Sequence, residues 1–485
     1  MKHGFRSPPA LPDKDAAPLL ERCFLFDAVE TSYAVSDITG NIPEWLRGSY
    51  YVNGPARFER AGMRAKHWLD GDGMVCCLRF SEGEVQFTSR FVQTTKLRDE
   101  DAAGRFLYRG FGTSFPGDKL RRKVMLEPPV NVSVYPWAGR LLAFGEQCLP
   151  MELDPVTLET KAAFDFAGSL NEVSPFAAHA KCDPATGHLL NFGISFSATE
   201  PMLNVYEFGL TGDLLRRRRH PLKHQHAVHD FGFTANSTVF YLSPLLMDFR
   251  RFFSEDVSVM ESLVWEPEKG ARILIAPRAS KAVTAFSVEV DPRYCLHLIN
   301  CHEEGNTITV DVLEMDKPIY PEYQPIPDLF TNAPPCRPAR YVIDLETRAI
   351  REKFTMDYDL CPDFPAIDAN RAGNQADDFW MLGIGAYREP GRKFFDQVVR
   401  GSWKSGAVED RWVVPCGEYL GGEPVYVANP ANPADGVVIV EHLVPAENRG
   451  EFLVFDGHSL RAGPMATLPL QYPIHPGFHT SFHFE

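Results

Sequence analysis

The stretch CDPATGHL, Cys182–Leu189, decides the fold. Aspartate and proline open a turn, glycine closes it, and apolar residues resume at Leu189, so the stretch reads as a hairpin. The same unit recurs in LDPVTLET (Leu153–Thr160), FGLTGDLL (Phe208–Leu215), WEPEKGAR (Trp265–Arg272), IDLETRAI (Ile343–Ile350) and FDGHSLRA (Phe455–Ala462). Between these turns lie short β-branched and aromatic runs, such as Val85–Phe91, Leu189–Ile194, Thr307–Val312 and Val437–Glu441, which are strand signals. Hairpins strung along most of a chain point to an all-β fold, a β-propeller whose sheets leave only short protected edges. The 39 prolines and 36 glycines oppose long helices. The alternating amphipathic helices of a doubly wound α/β fold are absent. Two stretches break the pattern. Ser243–Val264 is apolar with helical character, and Pro318–Pro338 is proline-rich and expected to be a loop or cap. Residues 1–485 therefore read as a single propeller domain with capping insertions at about 243–264 and 318–338.

Composition narrows the function. A net charge of −15 leaves no basic surface for phosphate backbones, so no nucleic-acid partner is expected. The run Arg216–Arg219 with His220 reads as a solvated turn between strands. Ten cysteines stand at no framework spacing and form no Cys-x-x-Cys pair, which suits a reduced, cytoplasmic protein. The N-terminus lacks the apolar core of a signal peptide. No stretch reaches the roughly 18 apolar residues of a membrane span, which leaves a peripheral membrane contact open.

Four of the fifteen histidines stand in strand-like or strand-end settings far apart in sequence: His179 in FAAHAKCDPATG, His229 in HAVHDFGFT, His297 in CLHLINCHEEG and His479 in HPGFHTSF. A propeller brings the inner strands of successive blades together around one axis. Histidines on different blades can then meet at one metal ion without the close spacings of zinc motifs. His302 is a rival to His297, but an offset of five residues in a regular strand points to the opposite face.

Ordered stretches along the chain carry a resemblance. They include HWLDGDGM (His67–Met74), YRGFGTSFPG (Tyr108–Gly117), LLAFGEQCLPMELDPVTLET (Leu141–Thr160), AHAKCDPATG (Ala178–Gly187), VHDFGFT (Val228–Thr234), LHLINCHEE (Leu296–Glu304), PDFPAID (Pro362–Asp368), GEPVYV (Gly422–Val427) and GFH (Gly477–His479). With these the chain resembles the carotenoid cleavage oxygenases. The resemblance implies a seven-bladed β-propeller with loops and short helices capping one face. It implies Fe(2+) held by His179, His229, His297 and His479, with Glu146, Asp363 and Glu423 accepting the histidines' other N–H groups. Neutral imidazoles suit divalent iron, and outer carboxylates fix ring direction. The implied activity is a non-haem iron dioxygenase that cleaves a carbon–carbon double bond of a carotenoid or apocarotenoid with O2 into two carbonyl products. The metal centre would carry the chemistry without a separate general base.

Three departures from the family pattern stand out. Asp363 replaces the usual glutamate and is one methylene shorter, so the backbone moves in, a water bridges, or the histidine is held less firmly. Val132, in PVNVSV, stands where many relatives carry a threonine facing the open iron position. Gly145 stands where stilbene-cleaving members carry a lysine and other relatives a bulkier residue, so it is a candidate for a widened substrate tunnel. YRGFGTSFPG and Gly145 favour an apolar polyene over the alternative, a stilbene or phenylpropenoid alkene. An isomerase or a non-enzymatic binding propeller would show itself by turnover without O2 or by the absence of iron. Ser243–Phe253 (SPLLMDFRRFF) matches a family stretch near the tunnel mouth, and its mix of rings and arginines suits a lipid interface.

Overall fold

The structure, a computed structural model, describes residues 19–197, 199–278, 284–325 and 328–485. Seven antiparallel sheets of four or five strands form a seven-bladed propeller. Taking the blades around the ring, the innermost strands are Thr480–Phe484, Ser133–Trp137, Lys181–Cys182, Gly232–Phe233, Tyr294–Glu304, Asp363–Ala366 and Tyr419–Asn429. Burial follows the position of the strand in its blade. Leu189–Ser195 and Met202–Phe208 are almost wholly buried, whereas the outermost strand of that blade, Leu214–Pro221, is mostly exposed. Aromatic rings fill the spaces between sheets. Phe166 stacks on Phe208 at 4.0 Å, and Trp380 on Tyr426 at 4.0 Å. Each fully buried ring contributes about 1.5–3 kcal/mol of transfer free energy.

The hairpin units owe their shape to aspartate. Asp154 Oδ1 accepts the N–H groups of Val156 and Thr157, both at 2.9 Å, and Asp344 Oδ1 those of Glu346 and Thr347 at 2.8 and 2.7 Å. In three units the residue four positions after the aspartate is left-handed: Leu158 (φ 61°), Gly187 (φ 70°) and Arg348 (φ 56°). Only glycine adopts that region without cost, so the aspartate's extra hydrogen bonds offset strain at Leu158 and Arg348.

Both ends of the described chain close the ring. Thr480–Phe484 pairs with Gly48–Ala56 in the first blade, and Thr39–Gly40 pairs with Ala466–Pro469 in the last. The loop entering the closing strand is tightly held. A β carbon on Gly54 would lie 2.6 Å from Gly477 Cα, so only glycine permits that approach. The buried Glu441 accepts the Gly477 N–H at 2.7 Å, and burial pushes its carboxyl up to about 8. His479 is thereby delivered two residues later.

Several local expectations differ from the structure. WEPEKGAR is no hairpin: its 3-10 turn, Pro267–Lys269, joins a two-stranded ribbon to a blade strand. Arg216–Arg219 lie within the outer strand Leu214–Pro221 rather than in a turn, because an edge strand tolerates a charged run that a core strand does not. Ser243–Val264 forms two short helices, Phe249–Ser254 and Val259–Ser262, carried by a ribbon that pairs Leu245–Met247 with Leu263–Trp265. The proline-rich connection ends earlier than expected, since Cys336–Asp344 is already a blade strand and Pro338 belongs to it. These segments gather over the histidine-bearing ends of the inner strands. Trp68 packs 4.4 Å from Phe478, Tyr320 5.0 Å from Phe111, and the Met260 N–H donates to the Phe111 carbonyl at 2.8 Å. Among the described residues no helix is long and apolar enough to cross a membrane.

Candidate metal centre

Each of the four histidines sits at or just before an innermost strand. His179 precedes Lys181–Cys182, His229 precedes Gly232–Phe233, His479 precedes Thr480–Phe484, and His297 lies inside Tyr294–Glu304. The ring axis therefore collects them: one nitrogen from each lies within 4.8 Å of all the others. The Nε2 atoms of His179 and His229 are 3.0 Å apart. That is about the spacing of neighbouring ligands when each nitrogen stands about 2.1 Å from one metal.

The outer faces of the rings meet carboxylates. His297 Nδ1 donates to Asp363 Oδ1 at 2.6 Å, and His479 Nδ1 to Glu423 Oε2 at 3.4 Å. His229 Nδ1 lies 2.6 Å from Glu146 Oε1. A carboxylate at Nδ1 places the proton there and leaves Nε2 with a lone pair. Lone pairs facing one another repel unless a cation stands between them. His297 Nε2 is buried with no hydrogen-bond partner, which a protein tolerates poorly without a ligand. Burial first, and the neighbouring imidazoles second, hold His179 and His479 well below the usual histidine range, so both stay neutral. The donor set thus fits a divalent transition metal.

Blades one to seven each contribute a residue: His479, Glu146, His179, His229, His297, Asp363 and Glu423. Glu423 is half-buried, and desolvation pushes its carboxyl up to about 7 despite the Thr480 N–H and Lys181. Asp363 is buried, but His297, the Phe364 N–H and Tyr323 outweigh burial and hold its carboxyl below the usual range. Its shorter side chain reaches His297 directly, with no bridging water required.

His302 lies outside the cluster. Simple alternation does not decide this, because the pairing of Tyr294–Glu304 shifts register between Cys295 and Asn300. Val132 is buried among Phe144, Phe176 and Ala178, and its carbonyl accepts the His479 N–H at 3.1 Å. Gly145 does not open a tunnel on its Cβ side. A β carbon there would lie 2.8 Å from Val130 Cα, so any side chain, lysine included, requires that backbone to move.

Two further residues escape a reading of the sequence. Asp230, fully buried, has Oδ1 3.6 Å from His179 Nδ1 and 2.8 Å from Lys181 Nζ, while Oδ2 accepts the Leu298 N–H at 2.9 Å. It faces the fourth histidine without adding net charge, since Lys181 neutralises it. Its signal was the acid immediately after His229 on an inner-strand approach. Tyr323 donates to Asp363 Oδ2 at 2.9 Å. It lies 40 residues from Asp363 in a proline-rich connection, and nothing in the local sequence marks it.

The model of the retinal pigment epithelial membrane protein family matches residues 26–483. The chain belongs to this family, that of the carotenoid cleavage oxygenases. It is 28% identical to the apocarotenoid-15,15'-oxygenase of Synechocystis over 92% of this chain and 93% of that protein. It is 28% identical to the isoeugenol monooxygenase of Pseudomonas nitroreducens over 95% and 97%. It is 27% identical to the lignostilbene-alpha,beta-dioxygenase isozyme III of Sphingomonas paucimobilis over 91% and 92%. The cobalt-substituted Synechocystis apocarotenoid oxygenase superposes with a TM-score of 0.87 at 26% identity, covering 96% of this chain and 98% of that one. The protein is accordingly an oxygenase of the carotenoid-cleavage family, with a four-histidine site suited to a metal.

Proposed function

We propose that the protein cleaves an alkene of an apocarotenoid or carotenoid with O2, using ferrous iron held by His179, His229, His297 and His479. The observation that carries this reading is the convergence of four imidazole nitrogens, with a carboxylate behind each ring. Ferrous iron supplies the site at which dioxygen becomes reactive toward an electron-rich double bond. One alkene and one O2 give two carbonyl products, so no proton or outside reductant is needed. The chain's own residues hold and shield that site. Glu146, Asp363 and Glu423 orient His229, His297 and His479, and their negative charge offsets that of a dication. Val132, buried and without a hydroxyl, holds the His479 N–H through its carbonyl at 3.1 Å. Phe364 and Phe478, stacked at 6.1 Å, close another side.

Two features favour a polyene over a stilbene. The chain lacks the lysine that grips a phenol oxygen in the stilbene cleavers, and the packing of Gly145 on Val130 leaves no room for one. Purified, iron-loaded protein given an apocarotenoid aldehyde, isoeugenol and a hydroxystilbene side by side is expected to cleave the apocarotenoid. Mass spectrometry should then show two carbonyl fragments, and one O2 should be consumed per alkene. Turnover of the phenolic substrates alone would overturn the substrate class.

The short helix Phe249–Ser254 supports a peripheral lipid contact at a cytoplasmic membrane face. Phe252 is buried and anchors the helix, while Phe253 is 47% exposed and Phe196 43% exposed. Phe249 bridges them, with its ring centroid 5.7 Å from Phe196 and 6.2 Å from Phe253. Arg250 is exposed beside these rings, an arrangement that suits headgroups. Phe196→Asp together with Phe253→Asp is expected to weaken cosedimentation with phospholipid vesicles by at least about tenfold. Unchanged cosedimentation would remove the lipid contact from the reading.

A further inference from the structure

We infer that Tyr323 is a positioning residue for His297, acting through Asp363, and that the His67–Trp68 segment locks it in place. The inference rests on His297 being a metal ligand. Asp363 Oδ1 serves two donors, His297 Nδ1 at 2.6 Å and the Phe364 N–H at 2.9 Å. Oδ2 receives the Tyr323 hydroxyl at 2.9 Å. A planar carboxylate held at both oxygens cannot turn about its last torsion, and the imidazole it faces keeps one orientation. An aspartate has two side-chain torsions where a glutamate has three, and less reach, so the second donor fixes the last of them. Burial, with Asp363 beside it, keeps the Tyr323 hydroxyl protonated and therefore a donor.

Tyr323 is itself fixed from an unexpected direction. It follows the 3-10 turn Tyr320–Glu322. His67 Nδ1 accepts the Leu69 N–H at 3.1 Å, which leaves the ring proton on Nε2, and Nε2 donates to the Tyr320 carbonyl at 2.8 Å. The Trp68 N–H donates to the Tyr323 carbonyl at 2.8 Å, and the two rings lie 5.6 Å apart. Two residues of the HWLDGDGM stretch thus hold both ends of the turn. The route runs from that stretch through Tyr323 and Asp363 to His297, and it joins the covering segments to one ligand.

The test uses the full-length protein loaded with cobalt(II), read by chelator competition and by the visible spectrum, alongside kcat and KM on the iron-loaded form. Tyr323→Phe is expected to lower cobalt affinity about tenfold, to shift the visible bands, and to lower kcat with little change in KM. Asp363→Asn removes the route at its middle, so Asp363→Asn/Tyr323→Phe should bind cobalt no more weakly than Asp363→Asn alone. That comparison is read between variants whose circular dichroism and melting show a folded propeller, so that a folding defect is not taken for a loss of positioning. A double variant well below Asp363→Asn, or a folded Tyr323→Phe with unaltered affinity and spectrum, would overturn the inference while the ligand assignment stands. Wild-type cobalt affinity in His297→Ala would instead overturn the assignment on which it rests.

Discussion

His297→Ala is expected to leave a folded propeller that no longer retains its metal and no longer consumes O2. The strand Tyr294–Glu304 is paired with Thr307–Met315 on both sides of His297, so loss of one ring does not undo the blade. The site is different. Removing the outer partner of a ligand costs about 10–100-fold in metal affinity or activity, and removing the ligand costs more. Metal affinity should therefore fall by more than about a hundredfold, and turnover should fall at least as far. His302→Ala provides the control: it lies on the same strand and outside the cluster, so metal content and rate should stay near wild type. Metal analysis of both purified variants, with O2 uptake before and after adding ferrous iron, decides the matter. Stoichiometric metal and normal turnover in His297→Ala would show that the ligand assignment is wrong.

The fold was legible because its signals are local. An aspartate that opens a turn and a residue that closes it four positions on are close in sequence, and the runs between them are β-branched. The four histidines were legible for a related reason: a propeller's inner strands all approach one axis, so strand-end histidines far apart in sequence need no spacing rule to meet. What stayed hidden depends on contacts between distant segments. Tyr323 meets Asp363 across 40 residues and His67 meets the Tyr320 carbonyl across 253, and neither pair leaves a pattern in its own neighbourhood. The packing of Gly145 on Val130 is likewise a property of two backbones in space. WEPEKGAR misleads for the opposite reason, since a hairpin-like turn can also join a ribbon to a blade. The departure at Asp363 shows the limit most clearly. Side-chain length alone left three outcomes open, and the structure takes direct contact, with a tyrosine from a covering segment on the carboxylate's other oxygen.

Metal loading should stabilise the protein, and acid should erase the difference. A ligand that binds only the folded state at a thousand times its Kd contributes about 4 kcal/mol, which for a chain of this size is a rise of about 4 °C in Tm. The stripped centre has two opposing titrations. Burial holds His179 and His479 well below the ordinary range, so as pH falls through about 6.5 the unfolded chain takes up protons that the folded one refuses. The state that binds more protons is then the unfolded one, and stability falls with pH. Glu423 runs the other way. With its carboxyl pushed up to about 7, the folded protein keeps a proton that the unfolded chain has already lost, and that contribution disappears as pH rises through 7. A bound dication removes both effects at neutral pH, because it fixes the imidazoles as ligands and favours the carboxylate. The gap in melting temperature between loaded and stripped protein should therefore be largest at and above pH 7 and should close toward pH 5, as protons displace the metal. Glu423→Gln should remove this opposing contribution, so the stripped protein should lose stability more steeply as pH falls from 7 toward 5 and change little above pH 7. Calorimetric scans at pH 5, 6, 7 and 8, with and without metal, test this directly, and identical melting temperatures at every pH would mean that the four histidines hold no ion.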